Sequence, residues 1–136
     1  MFTASCHCGA VKLEIARKPR KLAACNCSMC RRYGAIWAYF QRKSVDVICE
    51  NGALEKYGWR NRTLEFYRCR TCGCVTHHER SEKRADETDT RAVNIRNIDD
   101  PSIVRELPIK LLDGASSWDI LDEMPQPNLF QSPHHR

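Results

Sequence analysis

The sequence predicts an all-β fold with small α content, on three observations. Apolar and polar residues alternate over short stretches: Val11, Leu13 and Ile15 are interleaved with Lys12 and Glu14, the two-residue period of a half-buried strand. Turn signals such as Asn51-Gly52 fall between the stretches. Only residues 102–107 and 116–121 look helical, and both are short. Many short strands with turns between them make an all-β domain.

The elements follow in order. After the strand carrying Val11, Leu13 and Ile15 comes a basic turn, Lys18-Pro19-Arg20-Lys21. A cysteine knuckle, with one helical turn around residues 28–32, precedes the apolar run Ala35-Ile36-Trp37-Ala38-Tyr39-Phe40, read as a buried strand. Val45 and Val47 start another strand, and Leu64 and Phe66 belong to one that leads straight into Cys69. Val93, Ile95 and Ile98 suggest a further strand, as do Ile109 and Leu111. The highly charged segment 79–91 reads as an exposed loop, or alternatively as a lid. We read residues 1–123 as a single domain. Residues 124–136, with three prolines from Pro125 onward, read as a flexible tail.

The chain has 136 residues, the size of one typical domain. Its net charge of +5 suits a small anionic substrate. Basic residues are scattered among acidic ones, so no nucleic-acid partner is expected. No apolar run is long enough to cross a bilayer, so no membrane partner is expected. No signal peptide is evident, which points to the cytoplasm. In that reducing compartment clustered cysteines are metal ligands rather than disulfides, and the odd count of nine argues the same way.

Seven of those nine fall into three clusters: Cys6-His7-Cys8, then Cys25-Asn26-Cys27-Ser28-Met29-Cys30, then Cys69-Arg70-Thr71-Cys72. Thiolates at such spacings reach one soft cation, and zinc is the natural occupant. Seven ligands do not make two closed sites. Four would close one structural zinc, and three would leave a second zinc with an open position, where zinc does chemistry.

Four blocks carry a family resemblance. They are Cys6-His7-Cys8-Gly9-Ala10-Val11, the stretch from Cys25 through Cys30 to Arg31-Arg32-Tyr33-Gly34-Ala35, Tyr67-Arg68-Cys69-Arg70-Thr71-Cys72-Gly73, and Val93-Asn94-Ile95-Arg96. Together and in this order they resemble the glutathione-dependent formaldehyde-activating enzyme family, which also includes centromere protein V. The resemblance implies a β-tent of short antiparallel strands organised around zinc. It implies two zinc ions per chain: a structural one on Cys6, Cys8, Cys69 and Cys72, and a catalytic one on Cys25, Cys27 and Cys30. The elementary reading is compatible, since two distant cysteine pairs on one ion staple a small β domain together.

The activity implied is that of a carbon–sulfur lyase, which joins formaldehyde and glutathione reversibly to S-hydroxymethylglutathione. An open zinc can favour a thiolate or polarise a carbonyl. Three thiolates give the ion a negative shell, so thiol binding is the better expectation. A non-catalytic zinc-binding interaction module and a thiol-redox or metal-handling protein are the competing readings.

Glutathione is anionic, so Arg31 and Arg32, directly after Cys30, are the first candidates to bind it, or else exposed arginines on a helical turn. Trp37, Tyr39 and Phe40 read as core, with a pocket wall as the alternative. His77 and His78 read as strand histidines, with a general base as the alternative. Cys49 reads as a small buried residue. Cys74 faces the core or substitutes in the first site, and His7 points away from the metal its neighbours share.

Overall fold

The computed structural model describes residues 1–60, 63–81, 89–126 and 129–130. Two sheets form the domain. In the smaller, β1 (Phe2–Ser5), β2 (Lys12–Ile15) and β5 (Val45–Ile48) are antiparallel, in the order β1-β2-β5. The larger adds β3 (Leu22–Cys25), β4 (Trp37–Gln41), β6 (Leu54–Trp59), β7 (Leu64–Cys69), β8 (Val75–Arg80), β9 (Thr90–Asn94), β10 (Ile109–Leu112) and β11 (Ile120–Met124). Its order is β11-β10-β3-β4-β9-β8-β7-β6, antiparallel throughout except for the β3–β10 pair.

The alternation read from sequence sets the inner faces. Leu13 and Ile15 of β2 are buried, as are Phe2 and Ala4 of β1. They pack with Ile36, Ala38, Phe40 and Val93 from the larger sheet in one core cluster. Each large apolar side chain so buried contributes about 1.5–3 kcal/mol. A second cluster gathers Trp37, Phe66 and Ala92 with Cys25, Cys27 and Cys30. β4 therefore serves both clusters, with Ala38 and Phe40 toward one and Trp37 toward the other.

Several expectations are corrected. Residues 102–107 make only a 3-10 turn, Pro101–Ile103, capped by the Asp100 side chain. Pro108 disfavours helical backbone at Leu107. Residues 116–121 are not helical either. The Asp113 carboxylate accepts from Ser117 N and Ser117 Oγ, an alternative to helical bonding, and β11 begins at Ile120. The strand expected through Ile95 and Ile98 ends at Asn94, where a 3-10 turn over Ile95–Asn97 begins.

The segment 79–91 is not wholly an exposed loop: Glu79 is 4% exposed within β8, and Thr90 and Arg91 belong to β9. The reading of its middle, 82–88, as a loop or lid lies outside the described residues. Cys49 is exposed rather than buried. Past Pro125, Gln126 Nε2 donates to Val104 O and Leu107 O, and Leu129 and Phe130 pack against the main core.

β8 was not legible because its buried positions hold polar residues. Glu79 accepts from Arg91 at 2.8 and 2.9 Å and faces Arg42 at 3.3 Å. Thr76 Oγ1 lies 2.9 Å from His77 Nδ1. Buried polar groups need such partners, and neighbouring strands supply them.

Candidate metal centres

The first centre forms where two turns meet. Cys6 and Cys8 leave β1; Cys69 ends β7 and Cys72 lies in the turn to β8. Gly9 (φ 84°) and Gly73 (φ 77°) take left-handed backbone in the two turns, conformations that glycine adopts without strain. Gly9 N donates to Cys6 O at 3.0 Å, and Gly73 N to Cys69 O at 2.9 Å. All four sulfurs lie within 4.8 Å of one another. The separations Cys6–Cys8 and Cys8–Cys69 are 3.7 and 3.6 Å. Four sulfurs about 2.3 Å from one ion would stand about 3.8 Å apart, so the residues fit tetrahedral zinc. Cys74 packs beside this group without belonging to the four, and His7 is exposed.

The second centre is built by one short stretch. Cys25 ends β3, and Cys30 opens the one-turn helix α1 (Cys30–Tyr33). Gly34 (φ 64°) closes α1, its N–H donating to Cys30 O. Cys25, Cys27 and Cys30 are 8%, 3% and 6% exposed, and their sulfurs lie within 4.8 Å of one another. Among the described residues no fourth histidine, cysteine or carboxylate joins them. Cys27 N approaches Cys25 Sγ at 3.5 Å and Cys30 N approaches Cys27 Sγ at 3.3 Å; such donors favour thiolates. Burial nonetheless raises the pKa of Cys25 and of Cys30. A bound dication reverses that penalty, so this donor set fits a metal better than it fits free thiols.

Trp37 walls the centre from behind, with a buried indole N–H that has no partner of ordinary hydrogen-bond geometry. It lies close enough to Cys30 to favour the thiolate. Tyr39 is 38% exposed, while Trp37 and Phe40 are core, as expected. Burial and then the nearby thiols of the centre raise the Tyr39 pKa.

Arg31 and Arg32 are exposed, and Arg32 Nη1 donates to Ser28 O at 2.7 Å. His77 and His78 lie side by side in β8. Burial depresses their pKa values to about 3 and about 4, so both are neutral at pH 7. The His77 ring stacks on Tyr67 at 4.5 Å. His78 sits edge-on to Trp37 at 4.5 Å, with a buried Nδ1 that lacks a partner.

Residues missed at the sequence level complete the surroundings. Asn26, between two of the thiols, donates from Nδ2 to Asp113 Oδ1 at 2.9 Å and accepts from Ala115 N at 3.0 Å. It thereby clamps the loop 113–118 against the centre. Gly114 of that loop lies so close to Cys25 that an added Cβ would collide with its sulfur. Arg60 Nη2 reaches Gly114 O at 3.4 Å. Asp113-Gly114 is a turn dipeptide, the one local signal that marks this loop. Elsewhere, a cavity of about 410 Å3 is lined by Arg17, Lys18, Arg20, Lys21, Tyr39 and Gln41 among others and contains none of the cysteines.

No helix among the described residues is long and apolar enough to cross a membrane. No curated protein matches the sequence. A solved structure, the crystal structure of a Rhodobacter sphaeroides protein determined as a structural genomics target, is similar at 32% identity. The match covers 79% of this chain and 98% of that one, with a TM-score of 0.63. The family model described as glutathione-dependent formaldehyde-activating enzyme matches residues 1–107. That span contains all seven clustered cysteines, and the chain belongs to the glutathione-dependent formaldehyde-activating enzyme family.

Proposed function

We propose that the protein is a zinc-dependent carbon–sulfur lyase acting on the adduct of an aldehyde with glutathione or a similar thiol. Family membership supports a formaldehyde-activating, glutathione-related function. The observation that carries the finer reading is the contrast between the centres: four convergent thiols in one, three in the other. Cys6, Cys8, Cys69 and Cys72 hold a structural zinc, and Cys25, Cys27 and Cys30 hold the catalytic one. Zinc on three thiolates supplies a site that favours the thiolate form of an added thiol.

In the joining direction the thiolate sulfur forms a bond to the aldehyde carbon. The carbonyl π pair moves to oxygen, which takes up one proton, the equivalent of that lost by the thiol; the lyase direction is the reverse. The chain's own residues shape and dry the site: Trp37 and Phe66 back it, and Asn26 holds the loop that covers Cys25. Arg31 and Arg32 contribute positive charge at its edge. The reaction is placed in the cytoplasm, where glutathione is the abundant thiol.

A non-catalytic zinc-binding interaction module is the second reading, favoured by the close cover of Gly114 over Cys25. One experiment separates the two. Exchange between free formaldehyde and its glutathione adduct, followed by NMR, is accelerated by the native protein and not by Cys27→Ser. Zinc content with and without glutathione accompanies it. Two zincs per chain with no acceleration would sink the lyase reading.

A further inference from the structure

Two non-glycine residues among those described take left-handed backbone, Arg60 (φ 52°) and Trp118 (φ 63°). Such conformations cost on the order of 1 kcal/mol or more and gather at functional sites. These two are 58 positions apart in sequence and meet in space. The Arg60 guanidinium carbon lies 4.5 Å from the Trp59 ring centroid and 4.8 Å from that of Trp118, in contact with two indoles. Through Nη2 it reaches the carbonyl of Gly114, the residue that lies against Cys25 Sγ. Trp59 also packs against the cluster that contains the three thiols. Trp118 N donates to Asp113 O at 2.8 Å, so the Asn26 clamp that fixes this loop to the centre also fixes one of the two indoles that meet Arg60.

We propose that Arg60 is the carboxylate-binding residue of the three-thiol site. This rests on the reading of that site as the place where a thiol binds. The guanidinium carbon lies over both rings, and Nη2 is the nitrogen that meets Gly114 O. The in-plane N–H groups form a fork that matches a carboxylate. Among the described residues no carboxylate pairs with Arg60. Cation–π contact to two rings holds the charge at a fixed place without neutralising it. A purely structural staple does not need left-handed backbone on both partners. Residues 113–118 lie beyond those matched by the family model.

The test is calorimetric titration of the zinc-loaded full-length protein with glutathione and with glutathione diethyl ester, whose carboxylates are masked. The native protein binds glutathione about tenfold or more tightly than the ester. Arg60→Gln lowers the glutathione affinity to that of the ester and leaves the ester affinity unchanged, a pattern that a structural role would not produce. Equal affinity of the native protein for both compounds overturns the proposal whether or not the variant folds. A folded Arg60→Gln protein that keeps the preference also overturns it and moves the carboxylate site to other cations such as Arg31 and Arg32. A native protein that binds neither compound overturns the thiol-site reading itself, and this inference with it.

Discussion

Replacing Gly114 by alanine tests the packing of the second centre with a single methyl group. A Cβ built on Gly114 lies well under 3.0 Å from Cys25 Sγ, and 3.3 Å from both Cys27 Cβ and Trp118 Cζ3. Ordinary contact begins at 3.4 Å, so either the sulfur or the loop must retreat by about 1 Å. Metal–ligand distances tolerate about 0.2 Å, and a displacement several times larger removes one of three ligands. If the loop retreats instead, it loses the two Asn26 hydrogen bonds to Asp113 and Ala115, at about 0.5–1.5 kcal/mol each. Either way the overall loss is that of an overpacked site, about 1–3 kcal/mol. The first centre is untouched. On the proposed two-zinc reading, zinc content is expected to fall from two to one per chain while the protein stays folded, and Cys25, Cys27 and Cys30 become reactive toward a thiol reagent. Gly114→Ala protein with native zinc content and native thiol reactivity would refute the packing of this loop on Cys25.

The two centres differ in what their loss does. Cys69→Ser breaks the junction of the β1–β2 and β7–β8 turns and should unfold the domain by circular dichroism, whereas Cys27→Ser should stay folded with one zinc; equal stability of the two variants would contradict the assignment. Glu79, 4% exposed, holds Arg42 and Arg91, so Glu79→Ala should cost about 3–5 kcal/mol in urea unfolding by leaving buried charge unpaired; a loss under about 1 kcal/mol would count against that network. His78 is neutral and half-buried, with a buried, unpartnered Nδ1, so His78→Phe should be neutral or stabilising at pH 7. Burial depresses the folded-state pKa of His78 to about 4, below its unfolded value near 6.5. The unfolded chain therefore binds the extra proton as pH falls through that window, and stability declines. His78→Phe should lose less stability than the native protein between pH 7 and pH 5, and equal losses would exclude this residue as a cause.

Much of the chemistry was legible in the chain itself. C-x-C and C-x-x-C spacings reach one cation over a few bonds, so local sequence suffices to nominate Cys6 with Cys8, Cys69 with Cys72, and Cys25 with Cys27 and Cys30. Strands with one face on the main core, such as that of Leu13 and Ile15, were legible because burial there follows a two-residue period. β6, with the half-exposed sequence LEKYGW, and β8, with VTHHER, carry no such period. β6 lies at a sheet edge, and Glu79 of β8 is satisfied by Arg91 of β9 and by Arg42, residues distant in sequence.

The sequence by itself determined which cysteines could share a cation, the small β domain and the family, because those depend on residue types at short spacings. Tertiary structure alone decided which elements surround the three thiols. Arg60 and Trp118 are distant in the chain, and nothing local to either predicts their contact. Gly114 reads as an ordinary turn glycine until the fold lays it on Cys25. Contacts of long sequence separation depend on the whole sheet closing, and no local pattern encodes them.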